Sequence, residues 1–179
     1  MFLKGNNIYL RALEPEDLSY LFEIENDETL WEISNTLTPY SKWLLKNYLT
    51  NSHQDIYEAK QLRLVIVDNQ LNNMLGLIDL YDFDPKNNRV GLGVVIKNED
   101  NRNKGLGSET VELLINYVFN FLDIHQIYVN VGVTNEASIK LFSKFGFEKI
   151  GVKKQWNKVG AFYVDEILFQ LINPFHEIK

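Results

Sequence analysis

The chain changes hydrophobic period at a polar, glycine-bearing stretch, residues 98–107, and that change limits the folds open to it. Before it, residues 62–67, 75–80 and 90–96 are rich in Val, Ile and Leu. Polar turn segments separate them: Asp68-Asn69-Gln70-Leu71-Asn72-Asn73, and residues 82–88 with Pro85. The pattern predicts three strands in an antiparallel meander. After it, Val111, Leu114, Ile115, Val118, Phe119 and Leu122 recur at helical spacing. A strand is expected at 127–133, a helix at 135–145 with Ala137, Leu141 and Phe145 on one face, and strands at 147–152 and 163–171. Upstream, residues 7–13 alternate as a first strand. Pro15, Glu16 and Asp17 suit a helix start, with Leu18, Leu21 and Phe22 as its apolar stripe. A second helix is expected at 40–49, after Pro39. Strands, then strand–helix–strand–helix, then strands make an α/β fold on a mixed sheet. No repeat or linker divides the chain, so residues 1–179 are expected to form one domain.

Charge and composition exclude several functions. A net charge of −6 argues against a nucleic-acid surface. No apolar run approaches the roughly 20 residues that span a bilayer, so no membrane partner is expected. The start, Met1-Phe2-Leu3-Lys4-Gly5, lacks a charged stretch followed by an apolar signal core, and cysteine is absent. A cytoplasmic location follows as the expectation. His53 and His125 lack ligand spacing and His176 lies near the end, so no metal is expected. Between residues 14 and 32 stand Glu14, Glu16, Asp17, Glu23, Glu25, Asp27, Glu28 and Glu32, without a Lys or Arg. They form either a solvated helix face or a local negative potential that attracts a cationic substrate or effector. Trp31, Trp43 and Trp156 serve core packing or line an acceptor cleft.

The stretch Arg102-Asn103-Lys104-Gly105-Leu106-Gly107-Ser108 carries the chemistry. A glycine-bearing turn running into a helix presents N–H groups at the positive end of the dipole, a natural seat for a pyrophosphate. Gly105 and Gly107 allow close approach of a ligand, and Arg102 and Lys104 add positive charge. The P-loop pattern is absent, and the dinucleotide fingerprint would need a parallel βαβ unit where a meander is expected.

Arg102-x-x-Gly105-x-Gly107 resembles the acyl-CoA loop of the GNAT N-acetyltransferase superfamily. Asn135-Glu136-Ala137-Ser138 is similar to the family's helix start after the fifth strand. Leu141-Phe142-Ser143-Lys144-Phe145-Gly146-Phe147 is similar to its closing helix-to-strand signature. The likeness runs from Tyr9-Leu10-Arg11 to Leu171. It implies the GNAT fold: a mostly antiparallel mixed sheet flanked by helices, with a parallel, splayed strand pair at the acyl-CoA site. It implies acetyl-CoA as co-substrate, no metal, and transfer of the acetyl group to an amine. Val94, Val95 and Ile96 would face the pantetheine arm, and Arg102, Asn103, Lys104, Gly105, Leu106, Gly107 and Ser108 the pyrophosphate. Asn135 would bond the pantetheine, a role compatible with capping the helix.

Within the superfamily the chain resembles the spermidine/diamine acetyltransferases, through Leu80-Tyr81-Asp82-Phe83-Asp84, Asn88-Arg89 and residues 157–163. The acceptor implied is a small amine or polyamine, with Glu25, Glu28, Trp31, Glu32 and Tyr81 as candidate substrate or effector contacts. Ribosomal-protein N-terminal acetyltransferases are the second likeness. The acid–base residues depart from the family. Phe142 stands where many members carry a tyrosine that reprotonates the thiolate, and Val90-Gly91-Leu92 lacks a carboxylate found on the fourth strand of related enzymes. Tyr128, Asn130 and Tyr163 are the remaining candidates for proton handling, with structural roles as the alternative. A weakly catalytic acyl-CoA or polyamine sensor is the third reading. An exposed β-edge or the acidic helical region would support self-association.

Overall fold

The computed structural model describes residues 3–34, 36–97 and 105–176. The strands are β1 (Ile8–Ala12), β2 (Leu62–Asp68), β3 (Met74–Asp84), β4 (Arg89–Ile96), β5 (Gln126–Gly132), β6 (Glu148–Val159) and β7 (Phe162–Ile172). The helices are α1 (Leu18–Glu25), α2 (Glu28–Ser34), α3 (Lys42–Thr50), α4 (Ile56–Ala59), α5 (Leu106–Asn120) and α6 (Glu136–Lys144). The strands form one seven-stranded sheet in the order β1-β2-β3-β4-β5-β7-β6. Every pairing is antiparallel except β4 with β5, which run parallel. The expected mixed sheet and parallel pair are therefore present. A parallel pair needs a crossover, and α5 supplies it.

Strand alternation sends side chains to two cores. On one face Leu64, Ile66, Ile78, Leu80, Leu92, Ile127 and Val129 pack against Val111, Leu114 and Val118 of α5 and Phe142 of α6. On the other, Val65, Val67 and Leu77 pack against Leu21 and Ile24 of α1, Leu30 of α2, and Leu45 and Leu49 of α3. Each such fully buried Leu or Ile contributes about 1.5–3 kcal/mol relative to exposure. No residue of β5, β6 or β7 belongs to the second cluster. Among the described residues the apolar contacts of the α1–α3 layer thus fall on β1 to β4. Among the described residues no helix is long and apolar enough to cross a membrane.

Several boundaries differ from expectation, each for a reason of pairing. β3 runs on to Asp84, through a bulge at Asp82 (φ 50°). The turn sits later, where Asp84 Oδ1 accepts from the amides of Lys86 and Asn87 at 3.1 Å each. β6 extends to Val159 instead of ending near 152. Its polar outer half is carried by β7, through Lys154–Asp165 at 2.7 Å and Asn157 Nδ2–Glu166 Oε2 at 2.8 Å. Helices α2 and α4 are additional to those expected. α2 follows Asp27, whose Oδ1 accepts from the Thr29 amide at 3.0 Å, and α4 is one turn capped by Asp55.

The acidic segment enters the fold through a buried carboxylate. Asp17 is 4% exposed, receives Arg11 Nη1 at 2.7 Å and Nη2 at 2.8 Å, and accepts the Glu14 amide at 2.9 Å. Burial opposes its charge, but these donors hold its pKa below the usual carboxylate range. The stabilisation is therefore present at neutral pH and is lost as pH falls through that depressed value. Asp17→Ala is expected to destabilise the fold by about 2 kcal/mol at pH 7. In urea titrations the gap from the parent should persist down to about pH 4 and close below it.

Candidate active site

β4 and β5 pair at Arg89↔Gln126, Val90↔Ile127 and Gly91↔Tyr128, and nowhere further along. Each is held by its other neighbour: β4 stays on β3 as far as Ile96, and β5 stays on β7 as far as Gly132. The two strands therefore open as a fork. Backbone polar groups on strand edges that face a gap need a partner from ligand or water. The fork leads into a groove of about 490 Å³ lined by Val94, Val95 and Ile96 of β4, by Gly105, Gly107 and Ser108, and by Asn135, Ser138, Leu141 and Lys144. Leu30 of α2 also lines it, so the opening touches both layers of helices.

At one end stands the start of α5. Gly105 caps it in the left-handed region (φ 81°), where a side chain is strained. The first-turn N–H groups of an α-helix have no intrahelical acceptor and favour an anion. Glu109 in that turn would oppose one, but its carboxylate is engaged by Asn7, amide and side chain, at 2.9 Å each. Lys144 Nζ donates to Ser108 Oγ at 3.2 Å across the groove, and Lys140 lines the same wall. Asn135 caps α6, its Oδ1 accepting the Ser138 amide at 3.1 Å, while also lining the groove. The structure thus gathers Val94, Val95, Ile96, Gly105, Gly107, Ser108 and Asn135 around one cavity. Leu106 packs instead against the core, and Arg102, Asn103 and Lys104 lie outside the described residues.

The α1–α3 face of the fork is polar. Tyr81 of β3 lies over Gly91 and Gly93 of β4, where a methyl group on Gly91 would overlap its ring. The ring meets Tyr128 edge-on at 5.8 Å, and Asn130 Nδ2 donates to its hydroxyl at 3.4 Å. Lys153 donates to Asn130 Oδ1 at 2.9 Å and pairs with Glu166. Burial pushes the Tyr81 phenol up to about 12 and raises Tyr128 as well. Tyr163 does not join them. It is 60% exposed on the β6–β7 hairpin, opposite Lys158 and three residues before Glu166. Phe142 is 4% exposed, with its ring edge-on to Phe147 at 5.3 Å.

The acidic segment is less negative in space than in sequence. Asp17 pairs with Arg11, Glu23 with Lys97 at 2.6 Å, and Glu25 with Arg63, which also holds Asp79. Burial works against the Arg63 charge, yet Asp79 and Glu25 outweigh it and hold the guanidinium firmly protonated. Trp31 Nε1 donates to the Glu25 carbonyl at 3.0 Å and so fixes α2 to the end of α1. Glu28 and Glu32 remain exposed on α2. Arg63, Asp79, Lys153 and Glu166 escaped the sequence reading. Their one signal is a charged residue at an alternate position within a strand. Among the described residues no group of three His, Cys, Asp or Glu side chains could hold a metal.

The family model described as "Acetyltransferase (GNAT) domain" matches residues 7–148. The chain belongs to the GNAT acetyltransferases. A prophage-derived uncharacterized N-acetyltransferase of Bacillus subtilis, YokL, is 29% identical over 98% of this chain and 95% of its own length. The spermidine N(1)-acetyltransferase of Vibrio cholerae is 27% identical over 82% of each. A crystal structure of the V. cholerae spermidine N-acetyltransferase with CoA and spermine superposes with a TM-score of 0.85 at 22% identity, covering 94% of this chain and 97% of that one. The likeness in fold extends to a dodecameric structure of that enzyme, at a TM-score of 0.78 and 24% identity over 94% and 95% of the two chains. The GNAT sheet, with its one parallel pair opening at Gly91, is thus the frame in which this N-acetyltransferase works.

Tyr81 owes its place over β4 to Gly91. Gly91→Ala is expected to displace the ring and destabilise the enzyme by about 1–3 kcal/mol. Gly93→Ala, whose new methyl would meet the ring at an ordinary 3.8 Å, should stay within about 0.5 kcal/mol of the parent in the same thermal unfolding series.

Proposed function

We propose that this enzyme transfers the acetyl group of acetyl-CoA directly, in a ternary complex, to a primary amine of a polyamine such as spermidine. The observation that carries the reading is the fork: a helix N-terminus lies on one side and an acid-bearing face on the other. The first turn of α5, with Lys140 and Lys144 nearby, suits the phosphates. The facing edges of β4 and β5, which share no rung beyond Gly91, suit the amides of a pantetheine arm, which can add between the strands as a short extra strand. Backbone N–H groups of β4 and the side-chain NH₂ of Asn135 are the donors placed to meet it. The apolar walls Val94, Ile96 and Leu141 exclude water from the thioester. Holding amine and thioester in contact can supply several kcal/mol of the barrier.

On the acceptor side Glu25 and Asp79 share one cation, Arg63, leaving one uncompensated negative charge, and Glu28 and Glu32 extend the acidic surface along α2. A multivalent amine gains several weak attractions there, each screened beyond about 8 Å at physiological salt. Self-association belongs to the same reading, since β6 is a sheet edge with Ile150 and Trp156 exposed, and the V. cholerae enzyme has a dodecameric structure.

Acetyl-CoA consumption measured against polyamines, amino acids, aminoglycosides and peptide N-termini tests the acceptor. Preferred turnover of peptide N-termini, or none with any amine, would overturn it. Gly107→Val is expected to weaken CoA binding at least tenfold by calorimetry with the fold intact. The new side chain first meets Leu141 at 3.9 Å, inside the groove wall, so the fold has room for it. Changing Glu28 and Glu32 together to Gln should raise the KM for spermidine, leave that for acetyl-CoA unchanged, and flatten the salt dependence of spermidine turnover. Because the attacking amine must be neutral, kcat/KM should climb with pH toward an amine pKa of about 10.

A further inference from the structure

Tyr81 begins on β3, crosses β4 over Gly91 and Gly93, and brings its hydroxyl to Asn130 on β5. Gly91↔Tyr128 is the last rung shared by β4 and β5, and Asn130 is the next residue on that face of β5. The hydroxyl therefore lies over the neck of the fork. The hydrogen bonds around it also settle where its proton points. A lysine ammonium only donates. Lys153, held by Glu166, gives a proton to Asn130 Oδ1 at 2.9 Å, and Glu166 is in turn held by Asn157 Nδ2 at 2.8 Å. With its oxygen so engaged, Asn130 must turn its NH₂ end to Tyr81, and the phenol oxygen accepts at 3.4 Å. The phenol proton is left for another acceptor at the neck. Phe142, buried against Phe147, has none to give.

We infer that Tyr81 is the proton donor to the departing sulfur, and that Lys153 is a positioning residue that aims this proton through Asn130. The inference rests on the acetyl-CoA reading above. A neutral amine, its ammonium proton already lost to water, forms a bond from nitrogen to the acetyl carbonyl carbon. The carbon–sulfur bond breaks with its electron pair on sulfur. Tyr81 passes its proton to that sulfur and takes the proton that nitrogen sheds as the amide forms, so the phenol ends as it began. Burial pushes this phenol up to about 12, which keeps the proton in place at working pH.

Tyr81→Phe is expected to lower kcat about 100-fold while KM for acetyl-CoA stays within about twofold. Lys153→Met should lower kcat by less in the same sense, and Lys153→Arg, also a donor only, should recover most of it. A readout independent of turnover is the thiol of bound CoA, followed by its ultraviolet thiolate absorbance against pH. It should titrate about one unit lower in the parent than in Tyr81→Phe, because a hydrogen bond to sulfur favours the thiolate. Parent-like kcat and an unshifted thiol titration in Tyr81→Phe, with CoA still bound, would overturn the Tyr81 assignment alone. Absence of CoA binding to the parent by calorimetry would overturn this inference together with the acetyl-CoA reading.

Discussion

Strands β4 and β5 share three rungs and then separate, although nothing in a parallel ladder requires them to stop at Gly91 and Tyr128. The gap persists because each strand is committed elsewhere. β4 is tied to β3 over its whole length, and β5 to β7. The chain leaves β5 through a tight turn, with the Asn135 amide donating to Gly132 at 2.9 Å, and α6 starts at once. Closing the sheet would press α6 onto the start of α5, where Lys144, the last residue of α6, already meets Ser108. An open seam turns strand-edge polar groups toward a partly apolar groove, where each needs a hydrogen-bond partner. The fold in effect holds β4 and β5 apart as two fixed walls.

That seam joins two surfaces of opposite character. Toward α5 it meets a helix N-terminus, Lys140 and Lys144. Toward α1 and α2 it meets carboxylates, in part neutralised by Arg63. A half-buried guanidinium between two carboxylates adds little net stability, because desolvation offsets most of the attraction. Its effect is geometric. It joins α1 to β2 and β3, and with the Trp31–Glu25 bond it holds α2 beside the fork. Both ends of the seam are thereby held rigid while its middle stays open.

At the neck a glycine on β4 and an aromatic ring from β3 fit together. A side chain on Gly91 and the ring of Tyr81 cannot occupy the same space. The absence of a side chain at Gly91 is thus the condition for an aromatic group from β3 to reach β5. Lys153 and Glu166, from the two strands beyond, then complete a polar chain that spans β3 to β6.

The sequence by itself determined the order of the strands and of α1, α3, α5 and α6, and which loop and helix starts border the groove. Strand alternation against helical spacing separates the meander from α5, and Gly105 before an amphipathic helix marks where α5 starts beside the groove. Asn135 at a helix start follows the same local logic. These features are set within a few residues, by steric limits on backbone angles and by the hydrogen-bonding needs of helix ends. What only the tertiary structure decided lies across the sheet. The outer half of β6 looked like loop because its partners, Asp165 and Glu166, belong to another strand. Residues 14–32 looked uniformly acidic because Arg11, Arg63 and Lys97, which neutralise Asp17, Glu25 and Glu23, lie outside that segment. Tyr81, Asn130 and Lys153 fall 49 and 23 residues apart in sequence yet touch in succession, while Tyr163 is carried to an exposed hairpin by the β6–β7 register. Charge compensation and the polar contacts across the sheet depend on distances between side chains on different strands, and those are fixed by pairing and register, which no local pattern contains.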